Sequence, residues 1–380
     1  MDKDALLKQL ILWAEINSFT ENLEGLNKMK EIFIEAFSPI SDEIEDIPLP
    51  AYKKISLDGE FTEQKVGSLL SFKRHGTSKR KILLVGHMDT VYSLNNSFPI
   101  EIKGDNLHGP GVADMKGGIL IMLYALLQLE KAPNKQSIGW EVLLTPDEEV
   151  GSPSSTAVII EKAKGATEAL VFEPALPDGS LVSTRPASCI YTLVIKGQAA
   201  HVGRHPEEGK NAINALSELI YQLSFLQNLE EKKLINVGMI QGGRAINMVP
   251  DHAVAKLNIR AQTTEEIHLL INIGKELSSE ISNRYGTSTE WIQQTIRPAK
   301  QITPKTNQLM RAFQLLDSKL TFSPTGGVCD GNTLASLNIP TIDTLGPIGH
   351  HLHSHKEFLE IPSLFKRAEL VTQFLLSCIP

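Results

Sequence analysis

Apolar residues recur at helical spacing in two runs near the start of the chain, residues 6–14 and 26–37, and each run predicts an amphipathic helix. Beyond Pro39 the pattern changes to short strands. The clearest is KILLVGHMDTVY, residues 81–92, which contains the continuous apolar run Ile82–Val85. Such a run is typical of a strand buried on both faces of an α/β sheet. Residues 118–129 are apolar almost all round and predict a buried helix.

Strands and helices then alternate, with strands at 140–144 and 169–172 and a helix at 153–164 between them, which indicates a largely parallel sheet. From residue 187 the order becomes β-α-β-β-α-β, with strands at 191–197, 234–240, 253–260 and 289–296 and helices at 212–226 and 265–283. This order is typical of a ferredoxin-like unit. After Pro298 the first pattern returns with a helix at 308–317 and the strand TIDTLGP.

The sequence therefore predicts an α/β fold, with a mostly parallel mixed sheet between helices and an inserted ferredoxin-like α+β domain. We expect a discontinuous core domain of residues 1–186 and 298–380. The inserted domain is predicted to span residues 187–297.

Composition limits the class of function. The 380 residues carry a net charge of -7, with 42% hydrophobic and 21% charged residues, which is ordinary for a globular protein and does not support a basic surface for nucleic acid. Three scattered cysteines form no CxxC pair, so no disulfide scaffold is expected. The opening segment lacks a signal-peptide pattern, and no uncharged apolar run reaches about 18 residues. We therefore expect no membrane span and a cytoplasmic location.

Acidic and imidazole side chains follow the predicted strands. Strand 81–86 is followed by His87 and Asp89, strand 140–144 by Glu148 and Glu149, and strand 169–172 by Glu173. The carboxyl ends of strands in an open α/β sheet meet at one edge, where ligands bind. The loop GPGVADMKGG contributes a further carboxylate, that of Asp114, to the same region.

So many carboxylates at one edge require a compensating cation. Two divalent metals would supply it, and a His/Asp/Glu set without cysteine favours zinc or manganese in an open catalytic site. Asp89, two residues after His87, can hydrogen-bond the second imidazole nitrogen and orient the ring. Each motif alone also has a structural interpretation: the HxD as part of a strand, Glu148 and Glu149 as a solvated pair, and Glu173 as a strand end. Their joint placement favours a metal site.

The motifs GHMDTVY, GPGVADMKGG, TPDEEVGS and FEP, in that order, resemble the co-catalytic dinuclear zinc amidohydrolases and metallopeptidases. This family includes acetylornithine deacetylase, succinyl-diaminopimelate desuccinylase, aminoacylase and glutamate carboxypeptidase, and the last is the most similar. The resemblance continues through GQAAHVGRHPEEGKNAI, GGRAINMVPDHAVAKLNIR, PTGGVCDGN and LGPIGHHLHSHKEF. It covers about residues 80 to 360.

The resemblance implies that Asp114 bridges two metals, with His87 and Glu173 completing one site. Glu149 and a late histidine would complete the other. The candidates for the late histidine are His350, His351, His353 and His355.

In the family the histidine precedes a small hydroxyl residue and, a few positions on, an acidic residue. His353, with Ser354 and Glu357, matches this pattern best. The metals would be two Zn²⁺, with Mn²⁺ or Co²⁺ possible. The resemblance also implies a cis peptide bond between Asp114 and Met115.

Glu148 would be the general base that takes a proton from the attacking water and gives it to the leaving amine. Asp89 would hold His87. In the inserted domain, the family places a histidine at the position of His201 on the oxyanion, often from the partner subunit of a dimer. Arg260 would clamp a substrate α-carboxylate. On sequence alone, His201 and Arg260 are also compatible with a surface histidine and a solvated arginine.

Asn247 and the backbone near Gly327 are further candidates for substrate binding. The resemblance implies a homodimer formed through the inserted domain, and the alternative is a monomer in which that domain acts only as a lid. Small N-acyl amino acids or short peptides are the expected substrates.

The leading hypothesis is a metal-dependent hydrolase that cleaves an amide or peptide bond, as a deacylase or carboxypeptidase. The rival hypothesis is a catalytically silent binding or regulatory homologue of the same fold. A nucleotide-binding protein is a third possibility, but the sequence has no phosphate loop.

Overall fold

The computed structural model describes residues 2–380, which divide into two compact units. The core unit comprises the residues up to 51 together with 65–185 and 300–380. The insert unit comprises 52–64 and 186–299. The segment 52–64, which the sequence analysis included in 1–186, thus belongs to the insert unit.

The helices are α1 (Lys3–Ala14), α2 (Leu23–Phe37), α3 (Gly117–Leu129), α4 (Thr156–Lys162), α5 (Ala212–Ser224), α6 (Thr264–Tyr285), α7 (Pro304–Leu316), α8 (Asp330–Ser336) and α9 (Ile361–Ser377). The first ten strands are β1 (Glu43–Ile47), β2 (Tyr52–Ile55), β3 (Phe61–Gln64), β4 (Leu69–Arg74), β5 (Lys81–His87), β6 (Glu101–Lys103), β7 (Asn106–His108), β8 (Gly139–Thr145), β9 (Glu168–Val171) and β10 (Leu181–Val182). The others are β11 (Ala187–Lys196), β12 (Ala200–His201), β13 (Leu234–Gly242), β14 (Met248–Val249), β15 (His252–Ala261), β16 (Ser288–Arg297), β17 (Phe322–Ser323), β18 (Thr341–Ile342), β19 (Gly349–His350) and β20 (Phe358–Glu360).

The core unit is built on a six-stranded mixed sheet of order β1-β4-β8-β5-β9-β18. Strand β5 lies between β8 and β9 and pairs parallel with both, while β4 pairs antiparallel with β8. The apolar run of β5 is buried on both faces, as its sequence predicts. Because His87 pairs with Thr145, the carboxyl ends of β5 and β8 lie at the same level of the sheet.

Helix α3 is buried almost all round, in keeping with its apolar sequence, and it packs against the C-terminal helix α9. Phe374 of α9 stacks on Phe313 of α7 with ring centroids 4.3 Å apart. The segment Val112–Leu129 is long and apolar enough to cross a membrane, but 83% of it is buried inside the protein. Its backbone is also non-helical at Asp114 and Met115.

The insert unit contains a four-stranded sheet of order β13-β15-β11-β16, in which all pairs are antiparallel. Helices α5 and α6 bury their apolar residues against this sheet, which gives the ferredoxin-like arrangement. Thr263 and Glu266 form a capping box at the start of α6, and the helix ends at Gly286 with a φ of 65°.

The hairpin of β2 and β3 adds a second small core to the insert unit. Ile55 is buried in a cluster with Val194 of β11 and Val254 of β15. The ammonium of Lys256 donates a hydrogen bond of 2.6 Å to the carbonyl of Ile55. These contacts explain why residues 52–64 belong to this unit, although the chain on either side belongs to the core unit.

Candidate metal centre

Three parallel strands of the core sheet end at the same edge and deliver acidic and imidazole groups there. His87 is the last residue of β5, Glu148 and Glu149 begin a short helical turn just after β8, and Glu173 follows β9 by two residues. Asp114 comes from the segment between β7 and α3, and its peptide bond to Met115 is cis, as the family resemblance implied. The side chains that the sequence placed at this edge therefore come from four separate segments.

The Asp114 carboxylate lies between two histidines. Its Oδ1 is 3.1 Å from His87 Nε2, and its Oδ2 is 3.3 Å from His353 Nε2. Glu173 Oε2 lies 3.8 Å from His87 Nε2, and Glu149 Oε2 lies 3.2 Å from His353 Nε2. Each histidine thus faces one oxygen of the shared aspartate and one glutamate, which is the arrangement of two neighbouring ligand sets.

The Glu148 carboxylate belongs to the same group of side chains. Potential ligand atoms of His87, Glu148 and Glu173 all lie within 4.8 Å of one another, as do those of His87, Asp114 and Glu149. Glu148 therefore lies beside the other candidate ligands.

The four clustered histidines have different surroundings. His350 and His351 contact the ring of Phe358, with ring centroids 4.7 and 6.0 Å away. His355 packs edge-on against another phenylalanine at 5.7 Å. His353 is the one whose Nε2 approaches the buried carboxylates.

Asp89 faces Nδ1 of His87, the nitrogen that the sequence analysis assigned to it, and also contacts the turn of the two glutamates. The main-chain carbonyl of Asp89 lies 2.9 Å from His87 Nδ1, whereas its carboxylate oxygen Oδ1 is 3.5 Å away. The carboxylate also accepts hydrogen bonds from the hydroxyl of Thr20 at 2.7 Å and from the main-chain N–H groups of Glu148 and Glu149, each at 3.2 Å. The carboxylate of Asp89 thus fixes the turn that carries the two glutamates, while its carbonyl orients the imidazole.

Glu357 holds the segment of Asp114. Its carboxylate is buried and accepts hydrogen bonds from the main-chain N–H groups of Ala113 at 2.9 Å and Asp114 at 3.1 Å. The Tyr92 hydroxyl lies 2.5 Å from Glu357 and 3.1 Å from the carbonyl of Ser354, next to His353 in sequence. The sequence analysis used Glu357 only to identify the late histidine and missed both Tyr92 and Thr20, since nothing in the local pattern marks a hydroxyl that pairs across the fold.

The protonation of the cluster reflects its crowding. Burial, followed by the charge of Asp114, raises the pKa of Glu149 to about 7, and burial also raises the pKa of Glu173. Burial acts to raise the pKa of Asp114, but hydrogen bonds from His353 and His87 hold it below its usual value. Hydrogen bonds to Asp114 and Glu149 raise the pKa of His353 to about 11. These shifts reflect carboxylates that crowd one another in a buried place and favour a compensating positive charge.

These residues fit divalent metal ions. Oε1 of Glu149 is buried and has no hydrogen-bond partner among the described residues, so one carboxylate oxygen of the cluster is left uncompensated by the protein. The donors are imidazole nitrogens and carboxylate oxygens, which suit zinc and related divalent metals in an open site. His87, Asp114, Glu149, Glu173 and His353 are the residues that could hold them.

A cavity of about 490 Å³ adjoins the cluster. Asp114, Glu173 and His353 line it, together with Gly327 and apolar side chains such as Leu176. Gly327, a candidate from the sequence, therefore faces the same space as three of the candidate ligands.

A buried arginine, Arg185, also lines this cavity. Its guanidinium donates to Asp343 at 2.9 and 3.2 Å, and the Lys300 ammonium lies 3.2 Å from the same carboxylate. Gly327 lies next to this guanidinium, since a Cβ added to Gly327 would be 3.4 Å from Arg185 Nη1. The sequence analysis did not name Arg185 as a site residue, since its partner Asp343 is distant in sequence.

The remaining candidates lie in the insert unit. His201 ends the short strand β12, is exposed, and accepts a hydrogen bond at Nδ1 from the N–H of Gly203 at 3.1 Å. The carbonyl of Asn247 accepts from Val202 N–H at 3.1 Å, so His201 and Asn247 are neighbours. Arg260 lies on β15, where its Nε donates to the Asn258 side chain at 2.7 Å.

The sequence profile of Peptidase family M20/M25/M40 matches residues 83–377. The chain belongs to this family. Membership and the donor set together make this M20 peptidase a metal-dependent hydrolase, with a mixed α/β catalytic unit that carries an inserted domain.

Several characterised proteins resemble this M20 peptidase. Carboxypeptidase G2 from Pseudomonas sp. (strain RS-16) is 27% identical over 333 residues, which cover 82% of this chain and 77% of the relative. A succinyl-diaminopimelate desuccinylase from Hahella chejuensis is 27% identical over 325 residues, covering 78% and 82% of the two chains. A tripeptidase structure from Staphylococcus aureus aligns with a TM-score of 0.78 at 20% identity, covering 99% of this chain and 98% of that one, and supports the fold.

Proposed function

We propose that this M20 peptidase hydrolyses an amide or peptide bond in N-acyl amino acids or short peptides and uses two metal ions for the reaction. The observation that carries the proposal is the shared position of Asp114, whose two oxygens face His87 and His353 separately. One carboxylate between two distinct ligand sets suits a pair of metals better than a single one. Zinc is the expected metal, and manganese or cobalt are alternatives.

When bound, the metal ions polarise the scissile carbonyl and lower the pKa of water. Glu148 takes the proton from the attacking water and delivers it to the leaving nitrogen. Its turn is fixed for this purpose, because Asp89 accepts hydrogen bonds from the N–H groups of Glu148 and Glu149. The adjoining cavity of about 490 Å³ offers room for an acyl group or an amino acid side chain.

Substrate recognition is proposed to involve Arg260, which would bind a carboxylate in bidentate fashion. His201 would donate to the developing oxyanion, and Asn247, its neighbour, would bind the substrate nearby. The relatives named carboxypeptidase and desuccinylase support substrates with a carboxylate. We also propose that the protein forms a homodimer through the insert unit. Its proposed location is the cytoplasm.

The principal test is Glu148→Gln. We expect kcat to fall about 10²- to 10⁴-fold, the usual contribution of a positioned acid–base group, while the metal content stays that of the wild type. Glu161→Gln on the exposed face of α4 is the matched control and should leave both unchanged. Activity of the Glu148→Gln protein at the wild-type level would overturn the proposed base.

The substrate class requires a separate measurement. Purified protein loaded with zinc, manganese or cobalt is assayed against N-acyl amino acids, dipeptides and tripeptides. Arg260→Ala should raise KM for substrates with a free carboxylate far more than for the corresponding amides, since only the former lose a charged partner. An equal effect on both would contradict the assigned role of Arg260.

A further inference from the structure

A second cavity in the core unit, of about 170 Å³, has no role in the proposed reaction. It lies beside α9, and we call it the α9 cavity. Its polar lining consists mainly of Arg367 and Lys366 on α9, Lys319 and Asp317 after α7, and Asp178 in the turn that follows Glu173 by a few residues.

Arg367 is the unusual member of this lining. Its side chain is buried, with 7% of the residue exposed, and Nη2 donates one hydrogen bond of 3.2 Å to the carbonyl of Gly179. Within residues 2–380, no carboxylate forms an ion pair with its guanidinium at 4.0 Å or less. Burial lowers its pKa to about 10, although the charge of Asp317, beyond ion-pair distance, acts in the opposite direction. A buried arginine normally has an anionic partner, because removing its charge from water is unfavourable.

Of the other charged side chains described around the cavity, only Asp317 and Lys366 pair with each other. Asp317 pairs with the Lys366 ammonium at 3.2 Å and accepts the N–H of Lys319 at 3.0 Å. Asp178 accepts the N–H and the hydroxyl of Ser180 at 2.9 and 2.6 Å. Three basic and two acidic side chains therefore line the cavity, which leaves a surplus of one positive charge. Arg367 is the buried base among them, whereas Lys319 is exposed.

We propose that the α9 cavity binds a small carboxylate through Arg367. A guanidinium presents two parallel N–H groups that match the two oxygens of a carboxylate. A single surplus charge suits a monoanion better than a phosphate dianion, which Asp178 and Asp317 would repel. The cavity is large enough for acetate or for the carboxylate end of an amino acid.

The test observes Arg367 directly in the metal-loaded protein by arginine Nε–Hε NMR, with the signal assigned from an Arg367→Lys spectrum. Sodium acetate should shift this signal saturably, with a Kd on the order of millimolar for one charge-assisted pair. Sodium chloride at equal ionic strength should not. The signal of Arg311, an exposed residue on α7, is the internal control and should follow ionic strength alone.

Two further experiments test whether the cavity prefers a carboxylate to other anions. Asp317→Asn removes a carboxylate from the cavity and should lower the acetate Kd at least about twofold, since Lys366 is also released. Inorganic phosphate should bind more weakly than acetate. Equal shifts with acetate and chloride would overturn the proposal, and so would an unchanged Kd in Asp317→Asn. Tighter binding of phosphate would overturn the carboxylate assignment.

Discussion

The two halves of the candidate metal centre hold their histidines in different ways. The His87 side chain is 1% exposed, stands at the end of the central strand β5, and has its Nδ1 fixed by the carbonyl of Asp89. The His353 side chain is 54% exposed and lies in the loop after β19, with a left-handed φ of 61°. The His87 half is thus built on a buried strand, and the His353 half depends on a loop.

The carboxylates do not share this asymmetry. The Glu149 side chain is 5% exposed and the Glu173 side chain 11%, and Asp114 serves both halves. The difference therefore concerns how firmly each histidine is positioned. Because a preformed ligand set loses less freedom when a metal binds, we expect the His87 half to bind its metal more tightly.

The largest effect is expected for Asp114→Ala, which removes the carboxylate that both halves share. Metal content should fall for both sites, and activity should fall by more than about 10³-fold because the attacking water loses its activation. Metal is measured by inductively coupled plasma mass spectrometry after gel filtration. Asp105→Ala, at an exposed position, is the control. Retention of a full metal complement would show that Asp114 is not shared.

Single histidine variants test the asymmetry itself. His353→Ala should lose one metal and keep the other at near wild-type affinity. His87→Ala should weaken binding in the buried half by more than the roughly 10- to 100-fold that loss of a supporting partner outside the ligand set costs. Isothermal titration of metal-free protein separates the two binding events. Equal losses from the two variants would contradict the comparison.

A smaller effect is expected for Tyr92→Phe, which removes the hydroxyl between Glu357 and the carbonyl of Ser354. Loss of a hydrogen bond to a charged group should lower the free energy of unfolding by about 1.5–3 kcal/mol. Metal affinity should fall chiefly in the His353 half, whose loop this hydroxyl fastens.

The unfolding energy is measured in urea with the metal-free protein. Tyr124→Phe is the matched control, because its hydroxyl forms no hydrogen bond within the described part of the chain. A uniform loss of affinity in both halves would contradict a role in the His353 loop and would show that Tyr92 acts through Glu357 on the shared Asp114 segment.

The parts of the fold that the sequence predicted are those with a strong local pattern. The apolar run of β5, the all-round apolar α3 and the β-α-β-β-α-β order of the insert unit each have a period or length that indicates one structure. Helix α9 was not predicted, although its burial completes the core against α3. The hairpin at 52–64 was predicted only as unspecified strands, because its attachment depends on Ile55 contacting Val194 and Val254 far along the chain.

The candidate ligands could be named from the sequence because strand ends and short motifs place them, and the structure brings His87, Asp114, Glu149, Glu173 and His353 together. Their supporting contacts could not be named. Thr20, Tyr92 and Arg185 act through partners more than 60 residues away, at Asp89, Glu357 and Asp343. The sequence assigned Asp89 to His87, but it could not show that the main-chain carbonyl is the closer partner of the imidazole. Such differences arise from tertiary geometry, which local spacing does not encode.

Anomalous diffraction from zinc-loaded crystals tests the central claim most directly, since it locates each metal without reference to activity. The account predicts two zinc peaks, both in contact with Asp114. One should lie about 2 Å from His87 Nε2 and beside Glu173, and the other about 2 Å from His353 Nε2 and beside Glu149. A single peak, or a second zinc held by His350, His351 or His355, would contradict it.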